Sequence, residues 1–385
     1  MQKVHTNNPI YFDHASSTPV HPDIIKGLTE LTTAHYANSE SLHQAGLDIQ
    51  TMMRKSREAI AVMLKVKSDD LYFTSGATES NNLLIKGIAF AYQNKGKHLI
   101  TTRVEHSSVL DSFQDLESFF GFEVTYLNVD QEGRVRLEEL ETALRPDTTL
   151  VSIMAVNNEV GTIMPIEACA QIIRSKSQAV FHVDCVQALT KIEFNYDLVD
   201  CASFSAHKIN GVKGSGLLYK KDRVLYHPLI TGGQQEKGIR PGTPNAVHHI
   251  LMAKTIRLAF EQATAKHAQV LEIKHYLLDA FKSMESIVVN SPLHGCSDYI
   301  LNISCLKVPS QIMLNWLSSH QIYVSAMATC LNRDVRPSHV LEAMGIDGGR
   351  LNGVIRISIG YVNNLEDAKR LLEVMEEGIK KYGRI

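Results

Sequence analysis

Phe181-His-Val-Asp-Cys-Val-Gln187 and Phe204-Ser-Ala-His-Lys-Ile-Asn-Gly211, whose Lys208 stands 24 residues after Asp184, are the two stretches on which the fold turns. Each begins as a short apolar run and stops in polar residues. Runs of this kind recur at 71–74, 98–102, 124–127, 150–156, 180–183, 201–205 and 216–219, with helical stretches such as 49–64 and 166–175 between them. Short apolar strands alternating with helices describe a mostly parallel sheet covered on both faces. In such α/β sheets a ligand sits beyond the carboxyl ends of the strands, which is where Asp184 and Lys208 emerge.

Further along, a Gly- and Pro-rich stretch (Thr231-Gly-Gly-Gln-Gln to Arg240-Pro-Gly-Thr-Pro244) gives way at 245–282 to the apolar spacing of one or two long helices. Alternation then restarts at lower density as a smaller α/β domain at the C-terminal side. A chain of 385 residues has room for two domains. The expected division is a large domain at 14–262 and a small one made of 1–13 and 263–385.

Hydrophobic residues make up 44% and charged residues 21%, and the net charge is -2, so the composition is that of a soluble globular protein with no electrostatic case for nucleic acid. The first ten residues lack the apolar stretch of a secretory signal, and no apolar run approaches 18 residues; the expectation is a cytoplasmic protein away from membranes. Six cysteines without a C-x-x-C pair read as reduced thiols, and seventeen scattered histidines without an H-E-x-x-H motif give no metal site.

Leu71-Tyr-Phe-Thr-Ser-Gly-Ala-Thr-Glu-Ser80 runs from strand through glycine into a helix start, a candidate anion cradle that could equally be a plain helix cap. Asp184 and Lys208 could form a buried ion pair. They could also serve pyridoxal phosphate, which takes a Lys Schiff base and an Asp against its pyridinium nitrogen. The residues alone leave both open.

A resemblance narrows the choice. Phe73-Thr-Ser-Gly-Ala-Thr-Glu-Ser-Asn-Asn82, Glu105-His106, Val156-Asn-Asn-Glu-Val-Gly161, His182-Val-Asp184, Ser205-Ala-His-Lys208, Gly232-Gly-Gln-Gln-Glu236, Arg240-Pro-Gly-Thr243 and Arg336-Pro-Ser-His-Val340 stand in order between Tyr11-Phe-Asp13 and Val354-Ile-Arg-Ile-Ser358. The chain resembles the cysteine desulfurases, the NifS/IscS-like branch of the class-V aminotransferase superfamily. The resemblance implies a fold-type-I pyridoxal-phosphate enzyme, a homodimer, that converts L-cysteine to L-alanine. The sulfur is then held as a persulfide for an acceptor such as an iron–sulfur scaffold or a tRNA-thiolating enzyme.

Carried over, the resemblance implies that Lys208 holds the cofactor and Asp184 pairs its ring nitrogen, that Gln187 and Asn157 meet the ring hydroxyl, and that His106 stacks on the ring and handles thiol protons. The phosphate would lie among Ala77, Thr78, Ser205 and His207, joined by Thr243 of the neighbouring subunit. Arg356, with Asn157, would bind the substrate, a guanidinium being the natural bidentate partner of a carboxylate. Cys330, seven positions before Pro337, is the implied nucleophile; neighbouring Asn332, Arg333, Asp334 and Arg336 read as an exposed loop whose arginines favour the thiolate. Cys185, Cys201 and Cys305 lie in apolar runs and read as inert.

Several positions depart from the commonest family pattern: Ser325-Ala-Met-Ala-Thr329 before the nucleophile, Ala37-Asn-Ser-Glu-Ser41 near the substrate mouth, His14, Val212 and Tyr361. A selenocysteine lyase or a related transaminase is the alternative among enzymes, and a non-catalytic scaffold of the same fold the alternative outside them.

Overall fold

The computed structural model describes residues 9–326, 329–331, 334–336 and 338–383, with the backbone alone at 329–331 and 334–336. Strand β1 (Ile10–Tyr11) and helices α1 (Pro22–Ala34) and α2 (Gln44–Leu64) precede the main sheet. The sheet is built from β2 (Leu71–Thr74), β3 (His98–Thr102), β4 (Glu123–Leu127), β5 (Thr148–Ser152), β6 (Val180–Asp184), β7 (Cys201–Ser205) and β8 (Gly216–Lys220). Helices α3 (Ala77–Tyr92), α4 (Ser107–Phe120), α5 (Leu137–Ala143) and α6 (Ile166–Lys176) fall between these strands.

Among the described residues the main sheet has seven strands in the order β2-β8-β7-β6-β5-β3-β4. Every neighbouring pair is parallel except those of β8, which runs antiparallel to both β2 and β7. The reversal has a simple cause: the link from β7 to β8 is too short for the crossover that a parallel neighbour needs. Strands β3, β5, β6, β7 and β8 are buried along their whole length, which explains their unbroken apolar character, while β4 at the edge is partly exposed. The strand expected at 150–156 stops at Ser152. Ile153 to Val156 stay buried as they leave the sheet, so their hydrophobicity reflects the wall they form rather than sheet membership.

Two histidines sit inside this apolar sheet. His182 Nδ1 lies 2.8 Å from Ser152 Oγ and its Nε2 3.0 Å from Ser203 Oγ, so one ring ties β5, β6 and β7 together two residues below Asp184. His98 does the same between β4 and β5, through Thr125 and Thr148. Burial pushes His182 down to about 4, which keeps the ring neutral.

Helix α7 (Ala246–Ser283) is one continuous helix of 38 residues. Met252, Ile256 and Ala259 pack in the core of the main sheet, whereas Val270, Ile273, Leu277 and Phe281 pack in a second core. The second core covers a three-stranded antiparallel sheet, β9 (Ile287–Val289), β10 (Ile300–Cys305) and β14 (Val354–Ser358), in the order β14-β10-β9. Helices α8 (Ser310–Ser319) and α11 (Leu365–Tyr382) close it, and Phe12 from the far end of the chain is inserted among them. Between β10 and β14 lie β11 (Ile322–Tyr323), paired with β1, and the hairpin β12 (Thr329–Leu331) and β13 (Asp334–Arg336). Short helices α9 (His339–Ala343) and α10 (Gly348–Asn352) follow; Val340 and Leu341 pack back on the main core. The stretch expected as a loop around the nucleophile therefore contains paired strands, Cys330 opposite Val335. The side chain of Cys330 lies outside the described residues. Among the described residues no helix is long and apolar enough to cross a membrane.

Strand β8 approaches the backbone of the candidate cradle closely. A Cβ on Gly216, the first residue of β8, would stand 2.4 Å from Gly76 Cα and 2.6 Å from Gly76 N, so strand and turn meet only because residue 216 is glycine. Gly216→Ala is expected to destabilise the protein by about 1–3 kcal/mol, read from a urea titration, and to weaken cofactor retention with it.

Candidate active site

A cavity of about 560 Å³ opens at the carboxyl edge of the main sheet. Each wall follows from a strand end: Ser75 to Thr78 after β2, His106 after β3, Asp184 and Gln187 after β6, and Ser205, His207 and Lys208 after β7. Arg356 reaches in from β14 and Ala15 and Ser16 from the N-terminal segment, so the second sheet supplies one side of the pocket. Asp184, His106, Gln187, Ala77, Thr78, Ser205, His207, Lys208 and Arg356 are thus brought together around one space. Asn157 stands behind that wall. Its Nδ2 donates to Val104 O (3.0 Å), and its Oδ1 accepts from the backbone of Glu159 (2.9 Å) and Val160 (3.0 Å), so the side chain closes its own turn. Thr243 is exposed and away from the cavity of its own chain.

Lys208 Nζ donates to two backbone carbonyls, Ala15 O at 2.6 Å and Ser16 O at 2.8 Å. Burial, with the Arg356 charge added, lowers its pKa from 10.5 to about 8, against the pull of Asp13 and Asp184. Asp184 is buried and accepts from Asn81 Nδ2 (2.8 Å) and from Val186 N (3.0 Å). It makes no ion pair within 4 Å among the described residues, a costly position for a carboxylate unless a positive group fills the space before it. Asn81 also donates to Ser108 Oγ (2.9 Å), which lies 2.9 Å from His106 Nδ1; Ser108 N donates to the same nitrogen (3.2 Å). Nδ1 is therefore the acceptor, and the ring, its pKa lowered by burial, presents Nε2–H.

Arg356 is pinned on three sides: Nη1 donates to Asn158 O (2.9 Å), and Nη2 to Asp13 Oδ1 (2.9 Å) and Ser16 Oγ (2.6 Å). Its Nε is buried and has no partner among the described residues. At the other end, the first-turn amides of α3 beside Gly76 have no carbonyl within the helix to bond. Glu79 Oε2 accepts from Ser75 N (2.6 Å) while its Oε1 takes Arg240 Nε (2.9 Å), which fixes the loop carrying Thr243 against the cradle. Glu236 fastens the same loop by a bidentate pair with Arg57 (2.6 and 2.9 Å) and by accepting from Phe73 N.

Four polar residues have a part here that the sequence alone assigns to none of them. Asn81 was hidden on a buried helix face, one turn below Ala77. Glu105 is fully buried and raised to about 8 by desolvation; its Oε1 accepts from Thr102 Oγ1 and Met154 N. Lys191, four residues after Gln187, donates to its Oε1 at 2.8 Å and so turns the Gln187 amide nitrogen toward Ala15 O and the cavity. Asp13 holds Arg356. Among the described residues no group of His, Cys, Asp or Glu could hold a metal ion.

The pieces fit pyridoxal phosphate: an anion cradle at one end, an unpaired buried carboxylate facing the centre, and a lysine of depressed basicity between them. The class-V aminotransferase family model matches residues 10–371. The cysteine desulfurase IscS of Dictyoglomus turgidum is 38% identical over 379 residues, 98% of this chain and 96% of that one. The chain belongs to the NifS/IscS-like branch of the class-V aminotransferases. Within it, the cysteine desulfurase IscS of Glaesserella parasuis is 39% identical over 383 residues, 97% of this chain and 93% of the relative. Among solved structures a NifS-like protein superposes with a TM-score of 0.91 at 36% identity, covering 97% of this chain and all of the other. A structure described as SspA in complex with cysteine matches with a TM-score of 0.80 at 31% identity, over 91% of this chain and 98% of that one.

The basicity of Lys208 sets a pH dependence. Only the neutral amine attacks an aldehyde, so the rate at which the apoprotein takes up pyridoxal phosphate is expected to rise with pH through about 8 and then level off, followed by absorbance after mixing. Arg356→Met removes a like charge and is expected to move that rise to higher pH.

Proposed function

We propose that this chain is a pyridoxal-phosphate-dependent cysteine desulfurase that converts L-cysteine to L-alanine and keeps the sulfur as a persulfide on Cys330. The observation that carries the reading is that Lys208, Asp184, His106 and Arg356 line one cavity in a chain aligned almost end to end with cysteine desulfurases. Lys208 would hold the cofactor, Asp184 its ring nitrogen, Gln187 its hydroxyl, and Ala77, Thr78, Ser205 and His207 its phosphate; Asn157 supports this set from behind by shaping the turn at 157–161. When bound, the cofactor supplies an electron sink conjugated to the substrate Cα.

The chain's own residues do the rest. Arg356 offers its free Nε–H and its charge to the substrate carboxylate, held in place by Asn158, Asp13 and Ser16. Lys208, half neutral near pH 8, can take the Cα proton and return it. Neutral His106 presents Nε2–H at the face of the site, oriented by Ser108 and Asn81. The Cys330 thiolate attacks the substrate sulfur; a sulfur–sulfur bond forms, the Cβ–sulfur bond breaks, and its electron pair stays on the carbon fragment, which is protonated to alanine. The same reading assigns the large domain to 14–262 and the small domain to 1–13 and 263–385, with α7 joining them. It places the enzyme in the cytoplasm as a homodimer whose Thr243 completes the partner's phosphate site. The sulfur passes to an acceptor protein, an iron–sulfur scaffold or a tRNA-thiolating enzyme.

Replacing one thiol should separate the two halves of the chemistry. In Cys330→Ala, L-cysteine is expected still to change the cofactor absorbance while alanine and persulfide fall about a hundredfold or more. Cys201→Ala should keep turnover within about a few fold, since this thiol is buried in β7 and burial holds its pKa far above the thiolate range. Normal alanine release from Cys330→Ala would leave the lyase or transaminase chemistry in its place.

Sharing of Thr243 is tested by mixing chains. A Lys208→Ala chain and a Thr243→Ala chain, each poorly active alone, should regain activity when refolded together, because one of the two sites then carries neither defect. Mixtures no better than their parents would show that Thr243 serves its own chain or none.

A further inference from the structure

The hairpin that carries Cys330 is fastened at two roots. At its entry the link is backbone to backbone: Ser325 N donates to Arg356 O at 3.1 Å and Arg356 N to Ser325 O at 2.7 Å. At its exit the link is a side chain. Ser338 caps α9 by accepting from Leu341 N (3.2 Å), and its hydroxyl proton goes outward to Glu159 Oε2, on a turn 179 residues away in sequence. The next residue, His339, has Nε2 at 3.0 Å from Glu105 O.

Glu159 is only 8% exposed and does not line the cofactor cavity. Burial raises its pKa, and the Ser338 hydroxyl with the His339 and Arg356 charges counters that rise. Its backbone is rigidly placed: N donates to Asn157 Oδ1 (2.9 Å) and O accepts from Asn302 Nδ2 (3.1 Å). The preceding residue, Asn158, holds Arg356 Nη1. A single turn therefore grips both the substrate-side arginine and the exit root of the nucleophile's hairpin. The cap on α9 would be complete without Glu159, because Leu341 N already bonds Ser338; the carboxylate adds a tie between two distant parts of the chain and nothing to the helix itself.

We infer that Glu159 is a positioning residue for the second half of the reaction: by accepting the Ser338 hydroxyl it fixes where the Cys330 hairpin leaves the protein and hence how the thiolate meets the substrate sulfur. The inference rests on Cys330 being the nucleophile. A misplacement of about 1 Å at a reacting atom costs on the order of a hundredfold, so a loosened root should be visible in sulfur transfer and silent in the steps before it.

The test uses the full-length, cofactor-loaded enzyme. In Glu159→Ala, alanine formation at saturating L-cysteine is expected to fall about tenfold or more, with cofactor content, KM and the cysteine-induced absorbance change unaltered. Glu159→Gln keeps an oxygen acceptor for Ser338 and should restore most of the rate, a rescue that mere packing loss would not show. Should Glu159→Ala not fold, Ser338→Ala removes the same tie from the other side and should give the same split. Unchanged alanine formation, or parallel loss of alanine and of the absorbance change, overturns the inference. Cys330→Ala, run alongside, separates the two failures: if it makes alanine normally, the nucleophile assignment itself is wrong, whatever Glu159 does.

Discussion

Two cations, Lys208 and Arg356, share one pocket, and the surroundings are arranged so that they can. Of the two, only Arg356 has a carboxylate partner among the described residues, Asp13 at 2.9 Å. Lys208 is held by two main-chain carbonyls, and Arg356 by one carbonyl, one hydroxyl and Asp13. Their mutual repulsion, added to desolvation, is what brings the lysine to the basicity at which it can both give and accept a proton near neutral pH. The arrangement depends on the short segment from Asp13 to Ser16, which supplies partners to both cations and is itself held by Phe12 in the second core. The site is consequently a joint product of both cores.

Below the site, two buried histidines of the sheet are neutral and bonded at both ring nitrogens. His182 and His98 each spend both ring nitrogens on hydroxyls of neighbouring strands, and Glu105 is kept near neutrality by burial. Buried polar groups that are fully satisfied stiffen a core and fix its register. Here His182 locks β5, β6 and β7 just beneath Asp184, so the strand ends that present Asp184 and Lys208 have little freedom to shift.

The sheet was legible from its strands because burial on both faces leaves an unbroken apolar signature, and Asp184 and Lys208 were legible because polar residues at the ends of such runs have few other uses. The direction of β8 was not, since it depends on the length of a connection. Asn157, in Val156-Asn-Asn-Glu-Val-Gly161, has a second task that the motif does not announce: its Oδ1 and one N–H shape the turn. Asn81, Lys191 and Glu159 act through neighbours far away or a turn off, and no period in the sequence announces a partner 103 or 179 residues distant. The spacing of Gln187 and Lys191 was the one available hint. The hairpin around Cys330 read as a loop because its polar residues carry no alternation, and pairing there is a matter of backbone.

The tie between Asp13 and Arg356 spans 343 positions of the chain, and Ser16 reaches the same guanidinium across 340. Bringing such distant residues together costs loop-closure entropy before any bond rewards it, and topologies rich in remote pairings assemble slowly. During synthesis on a ribosome the strands of the main sheet can pair long before β14 has been made, yet the pocket cannot close until it has. A nascent chain would thus carry a nearly finished scaffold with an unfinished centre, and the lowering of Lys208, which comes first from burial and then from the Arg356 charge, is complete only when the arginine arrives.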